Sequence, residues 1–148
     1  MKKIFLFGLM FLTLSFIQSD VSIDPTGTYE TKQNVDNKGN DLGNQGFLSV
    51  KYLGNSKIKI QLEYYGRNTK YGPNMGQMDE VLELIGNKAI YASKEYGYCK
   101  IEFTFDSKGV KVEMIGESSD FSCGFGVGVY VDGYYYKTSS KSPKFRED

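Results

Sequence analysis

The chain has no histidine, no tryptophan, only three prolines and only two cysteines. Each scarcity narrows what it can do. Without histidine there is no Ser-His-Asp or Cys-His catalytic set, and the commonest general base is missing. Two cysteines unaided by imidazole make a poor ligand set for zinc, so no metal or other cofactor is expected. Few prolines beside 17 glycines suit many tight turns between short strands better than a disordered linker.

What is present begins with an export signal. Lys2 and Lys3 open the chain, and Ile4 to Ile17 form an apolar run interrupted only by Gly8, Thr13 and Ser15. The run falls short of the roughly 20 residues that span a bilayer. A positive start, an apolar stretch of this size and small residues just after it form the pattern of a cleaved secretory signal. Cleavage is expected after Ser19, leaving Asp20 as the new N-terminus, although Ile17 is bulkier than the small residue favoured three positions before a cut. No cysteine lies near that cut to take a lipid, and no second apolar run follows. The mature protein is therefore expected to be soluble, periplasmic or extracellular, and away from the membrane once the signal is removed. Of 18 basic side chains, Lys2 and Lys3 leave with the signal, so 16 remain against 18 acidic ones, a net charge of −2. That balance lacks the basic excess of a nucleic-acid or anionic-membrane binder. In an oxidising compartment, Cys99 and Cys123 are expected to form one disulfide stapling a small core, with two free thiols as the alternative.

Side-chain alternation dominates the mature chain. Ile58, Ile60, Leu62 and Tyr64 alternate with Lys57, Lys59, Gln61 and Glu63. Cys99, Ile101, Phe103 and Phe105 do the same with Lys100, Glu102 and Thr104, and Val110, Val112 and Met114 with Lys111 and Glu113. A period of two puts one face on a core and the other in water, whereas a helix would scatter these residues all round. Gly54-Asn55, Gly86-Asn87 and Asp106–Gly109 supply hairpin turns between such runs. The spacing predicts strands over 27–32, 48–53, 57–65, 78–85, 88–92, 98–105, 110–115 and 129–138, with irregular stretches at 33–46, 66–76 and 116–128. The fold class expected is all-β: an antiparallel up-and-down barrel of about eight strands over residues 20–138, preceded by the signal peptide 1–19. A two-sheet sandwich is the alternative that periodicity leaves open. Closure removes exposed edges, and Thr26-Gly27-Thr28-Tyr29 and Asp132-Gly133-Tyr134-Tyr135 look like the strands that meet. The polar tail 139–148 is expected to fray.

The run Cys99-Lys-Ile-Glu-Phe-Thr-Phe, then Gly109-Val-Lys-Val-Glu, Cys123-Gly-Phe-Gly and Gly128-Val-Tyr-Val-Asp-Gly-Tyr-Tyr-Tyr-Lys137, together with Gly86-Asn-Lys-Ala-Ile-Tyr91, resembles a group of small exported bacterial proteins. They share a Cys…Cys-Gly-x-Gly…Asp-Gly-x-Tyr pattern, and the likeness covers residues 86–137. The resemblance implies a lipocalin-like or lysozyme-inhibitor-like barrel and assigns no activity. Lysozyme inhibitors of this shape carry a Ser-Gly-x-x-Tyr loop and a later Tyr before Thr-Lys/Arg-Gly. Pro25-Thr-Gly-Thr-Tyr29 and Tyr135-Tyr-Lys-Thr138 do not match these motifs, so no inhibitory residue carries over.

Several segments bear on chemistry. Asp79-Glu80, or Glu117 with Asp120, supply carboxylates of the kind that hydrolyse glycosides, but solvated acids are far commoner. Asp36-Asn-Lys-Gly-Asn-Asp41 offers oxygen ligands to calcium, yet lacks the acidic spacing and closing Glu of an EF-hand loop and reads better as a turn. Gly124-Phe-Gly-Val-Gly128 has the glycines of a phosphate loop without its Lys-Ser/Thr. It reads as a bend after the disulfide, with Phe125 either packed or exposed. Tyrosines with one polar end anchor interfaces and also pair across strands. Tyr96, Tyr98, Phe125 and Tyr130 are the candidate binding surface. The function expected is that of a monomeric, non-enzymatic binding protein for an unknown secreted protein, such as an inhibitor of a secreted lysozyme. Its alternative is a lipocalin-type carrier of a small apolar ligand, which requires a hollow interior.

Overall fold

Each alternating run forms a strand: β1 (Gly27–Glu30), β2 (Gly43–Gly54), β3 (Lys57–Arg67), β4 (Met75–Ile85), β5 (Lys88–Ser93), β6 (Cys99–Phe105), β7 (Gly109–Met114) and β8 (Gly133–Ser139). The computed structural model describes residues 23–40, 42–67, 69–95, 97–115 and 122–146. The expected signal peptide and its cut lie outside the described residues. Every strand is antiparallel to its sequence neighbour, and β8 returns to β1 to close an eight-stranded barrel. The sandwich alternative is thereby excluded. Closure joins the two Gly-Tyr segments as expected, with Tyr29 opposite Lys137 and Glu30 opposite Tyr136.

Three strands reach well beyond the sequence reading. β2 begins at Gly43, β3 continues to Arg67 and β4 starts at Met75, so parts of two stretches read as irregular, 33–46 and 66–76, belong to the barrel wall. The reason is steric. Gly46, Gly66 and Gly76 sit at buried positions and show no side chain to alternate. A Cβ on Gly46 would lie 2.5 Å from the Tyr135 ring, so that ring takes the place a side chain would fill. At the other end of the chain, β8 starts at Gly133, and Val129 and Val131 reach the core from the preceding loop instead.

Inward-facing side chains fill the barrel. Val50, Ile60, Phe103, Val112 and Tyr135 are fully shielded from solvent, and Tyr29 meets Phe105 edge to face at 6.2 Å between ring centres. Two buried phenols stay satisfied through backbone carbonyls: Tyr29 Oη donates to Pro25 O, and Tyr135 Oη to Val131 O. Burial, above all, pushes both phenols well above the ordinary tyrosine value of 10.0. Folding therefore favours their neutral forms. This contribution is complete below about pH 10, where unfolded tyrosine ionises, and is lost as pH rises beyond it. We expect steep alkaline unfolding above about pH 10, with tyrosinate absorbance appearing together with loss of the β-sheet circular dichroism. Tyr29 and Tyr135 titrating at an ordinary midpoint in a still-folded protein would contradict this.

Up to Arg146, the last residue described, the polar tail does not fray. It crosses the outside of the barrel and docks on β3. The backbone N–H of Arg146 donates to Gln61 Oε1 at 3.0 Å, and Gln61 Nε2 donates to Arg146 O at 3.1 Å. The Arg146 guanidinium meets Glu63 at 2.8 Å, and Lys59 Nζ stands 5.0 Å from the centre of the Phe145 ring. A primary amide that reads both backbone groups of one residue imitates a neighbouring strand, so a polar segment gains order without an apolar core.

Candidate binding surface at the loop-bearing end

The barrel has unlike ends. At one, tight turns join β2 to β3, β4 to β5 and β6 to β7. At the other lie the longer connections 31–42, 68–74, 94–98 and 115–132. Loops gathered on one end of a stiff scaffold are where binding residues concentrate.

The described part of the last of these loops, 122–132, closes the mouth. Cys99, the first residue of β6, and Cys123 form the expected disulfide, with Cα atoms 4.9 Å apart. The chain turns sharply there, since Cys123 and Gly124 both adopt left-handed backbone conformations (φ 70° and 69°). It then crosses toward β4. Gly126 N–H donates to Met75 O at 2.9 Å, and Asn74 Nδ2 donates to Val127 O at 2.7 Å. Phe125, Val129 and Val131 point down into the barrel as a stopper, and Phe125 lies against the bare backbone of Gly76. The glycines of 124–128 thus serve a bend, and the segment opens no helix on which a phosphate would rest.

Of the expected surface, Tyr98 and Tyr130 are exposed at this end, at 61% and 46%. Phe125 takes the packed alternative and is only 3% exposed, so it supports the rim from beneath and presents nothing to a partner. Tyr96 lies outside the described residues. The structure adds Tyr71, 93% exposed in the 68–74 loop, and Val127 on the cap. Tyr71 precedes Gly72-Pro73-Asn74, a turn signal that announces an exposed tip within the stretch that otherwise reads as irregular chain. Tyr134 and Tyr136 belong elsewhere. Their rings pack at 4.8 Å on the outer wall, and Tyr134 Oη donates to the Asp106 carboxylate at 2.8 Å. Desolvation and that carboxylate push the Tyr134 phenol up to about 12.

The acidic candidates do not assemble. Asp79 and Glu80 are successive strand residues and so face opposite sides. Asp79 points outward to Lys59 Nζ at 3.0 Å, while Glu80 faces inward opposite Ile60. Glu117 and Asp120 lie outside the described residues. In the 31–42 loop, the Asp36 carboxylate accepts from Lys38 N at 2.8 Å, Asn40 N at 2.9 Å and Asn40 Nδ2 at 2.8 Å. These donors, Asn40 foremost, hold its carboxyl below the usual range. An Asp turned onto its own loop shapes a turn and leaves little for a cation.

No protein-family model, curated protein or solved structure matches the chain. The reading of its function therefore stands on the geometry above.

Proposed function

We propose that the protein is an exported, non-catalytic binding protein that seats a partner protein on its loop-bearing end. The observation that carries this is the rim itself: Tyr71, Tyr98, Val127 and Tyr130 stand exposed on a frame stiffened by the Cys99–Cys123 bridge. Tyrosine buries much apolar area with few rotatable bonds, and a rim held in place loses little entropy on docking. The bridge itself suits an oxidising compartment, and no helix among the described residues is long and apolar enough to cross a membrane. Inhibition of a secreted enzyme, a lysozyme among them, is the specific form proposed. Apolar-ligand carriage finds less support, because Phe125, Val129 and Val131 would have to leave the mouth before anything entered.

Two measurements test it. The protein is titrated into lysozyme turnover of peptidoglycan, and the immobilised protein is challenged with secreted proteins beside a Tyr98→Ala/Tyr130→Ala variant. The expected result is stoichiometric inhibition, or a retained enzyme, weakened about tenfold or more in the variant at unchanged melting temperature. Retention indifferent to both tyrosines would remove the rim from the interface. Lysozyme activity untouched by a molar excess would remove lysozyme from the partners.

A further inference from the structure

The wall between β4 and β5 is incomplete. These strands pair only at Leu84↔Ala89 and Ile85↔Lys88, close to their turn, whereas β3 pairs with β4 continuously from Lys57↔Glu83 to Tyr65↔Met75. Beyond the turn, β4 has β3 as its sole strand partner among the described residues. In an antiparallel strand, successive residues aim their backbone groups to opposite sides. Asn74 O accepts from Gly66 N, and Leu84 N donates to Ser56 O, so even-numbered positions of β4 turn toward β3. The N–H and C=O groups of Gln77, Asp79 and Val81 therefore face the gap. Both ends of the gap are closed, one by the Ile85↔Lys88 pair and the other by the Gly126 N–H on Met75 O.

Two further observations mark this opening. The inward side chains of β4 here are less sealed than those facing them on β3: Met78 and Leu82 keep 7% and 8% exposure, while Leu62 and Ile58 opposite them keep 0%. Between them, at an inward position opposite fully buried Ile60, stands Glu80, partly exposed and without an ion pair among the described residues. A carboxylate on the inner face of a barrel keeps its water only where the wall is open. Outside, Val81, Ile85 and Ile90 form apolar flanks at 53%, 71% and 45% exposure.

We propose that this gap is a strand-addition site for an extended apolar segment of a partner protein that carries one central Lys or Arg reaching Glu80. The free edge supplies main-chain hydrogen bonds over about five residues, the flanks receive the apolar side chains, and Glu80 selects the charge. A second copy is the wrong occupant. Pairing β4 with itself about Asp79 opposes two Asp79 carboxylates, and pairing about Val81 opposes Asp79 to Glu83, both like-charge contacts. The site is separate from the tyrosine rim, so either can fail alone.

Amide exchange followed by NMR reads the site directly. In the free protein, the amides of Gln77, Asp79 and Val81 exchange fast while those of Met78, Glu80 and Leu82 stay protected. The probe is a blocked heptapeptide, Val-Ala-Val-Lys-Val-Ala-Val, with the counterpart carrying Glu in place of Lys as control. The lysine peptide is expected to bind saturably and protect the three fast amides, and the glutamate peptide to leave them exchanging. Glu80→Gln weakens binding about tenfold. Val81→Pro removes one gap-facing N–H without touching the β3 ladder and abolishes binding, whereas Val81→Ala retains it. Protection of the three amides in the free protein overturns the proposal. So do peptide binding that leaves them exchanging, binding indifferent to both Glu80→Gln and Val81→Pro, and protection that tracks dimer formation in sedimentation.

Discussion

Replacing Cys99 and Cys123 together by alanine lowers the stability of the protein by about 3 kcal/mol, the entropy that a bridge of sequence separation 24 removes from the unfolded chain. For a domain of this size that is a fall in melting temperature of about 10 °C, measurable equally by adding reductant to the native protein. The loss is not spread evenly. Cys123 holds the start of the segment that plugs the mouth with Phe125, Val129 and Val131. Without the bridge, that segment keeps its hydrogen bonds to Met75, Asn74, Met114 and Tyr135 and the packing of its buried side chains, but its first turn loses the tie to β6. The apolar mouth then opens before the barrel unfolds, and a hydrophobic dye binds the reduced protein below its melting transition. A reduced protein that melts like the native one and binds no dye would show that packing alone holds the cap.

Gly46→Ala is the second substitution with a large expected effect, about 2–3 kcal/mol destabilising. One methyl group is the whole change, and nothing in the φ angle of Gly46 forbids it. The obstacle is space, because the new carbon would lie 2.5 Å from both Cε1 and Oη of Tyr135. That ring is buried and tethered to Val131 O, so it yields only by losing its bond or its rotamer. Gly39→Ala is the control: nothing lies within 4 Å of its Cβ, and its left-handed φ of 82° costs about 1 kcal/mol on conformational grounds. Chemical denaturation of both variants checks the ordering. A Tyr135→Leu background should relieve part of the Gly46→Ala cost, giving a non-zero coupling in a double-mutant cycle.

Much of this architecture is legible in the sequence because its causes are local. Alternation from Lys57 to Tyr65 and from Cys99 to Phe105 names both the strands and their inward faces, and the Gly-Asn turns state which strands are neighbours. Closure follows from two similar ends. Features set by non-local partners stay hidden. Gly46 and Gly76 look like loop residues because their space is taken by Tyr135 and Phe125, far away in the chain. The tail reads as polar and free because Gln61, which orders it, lies 85 residues earlier. The β4–β5 gap depends on how the barrel closes, which no strand announces alone. One trace of it is present all the same: in Met78, Glu80, Leu82, Leu84, an acid occupies a core position. Reading Glu80 with Asp79 as an acid pair obscured that break in the alternation. The rim is half visible: Tyr98 and Tyr130 stand out beside the disulfide and last strand, whereas Tyr71 sits in a stretch with no alternation to place it.

The tail crossing β3 has a mechanical consequence. β8 is the last strand and closes the barrel against β1, so peeling from the C-terminus would open the structure along its own seam. Arg146, anchored to Gln61 and Glu63, puts a fastening ahead of that seam. A pulling force or a processive protease taking hold of this end must first strip the fastening, and the load falls on the long β2–β3–β4 part of the wall before it reaches β8.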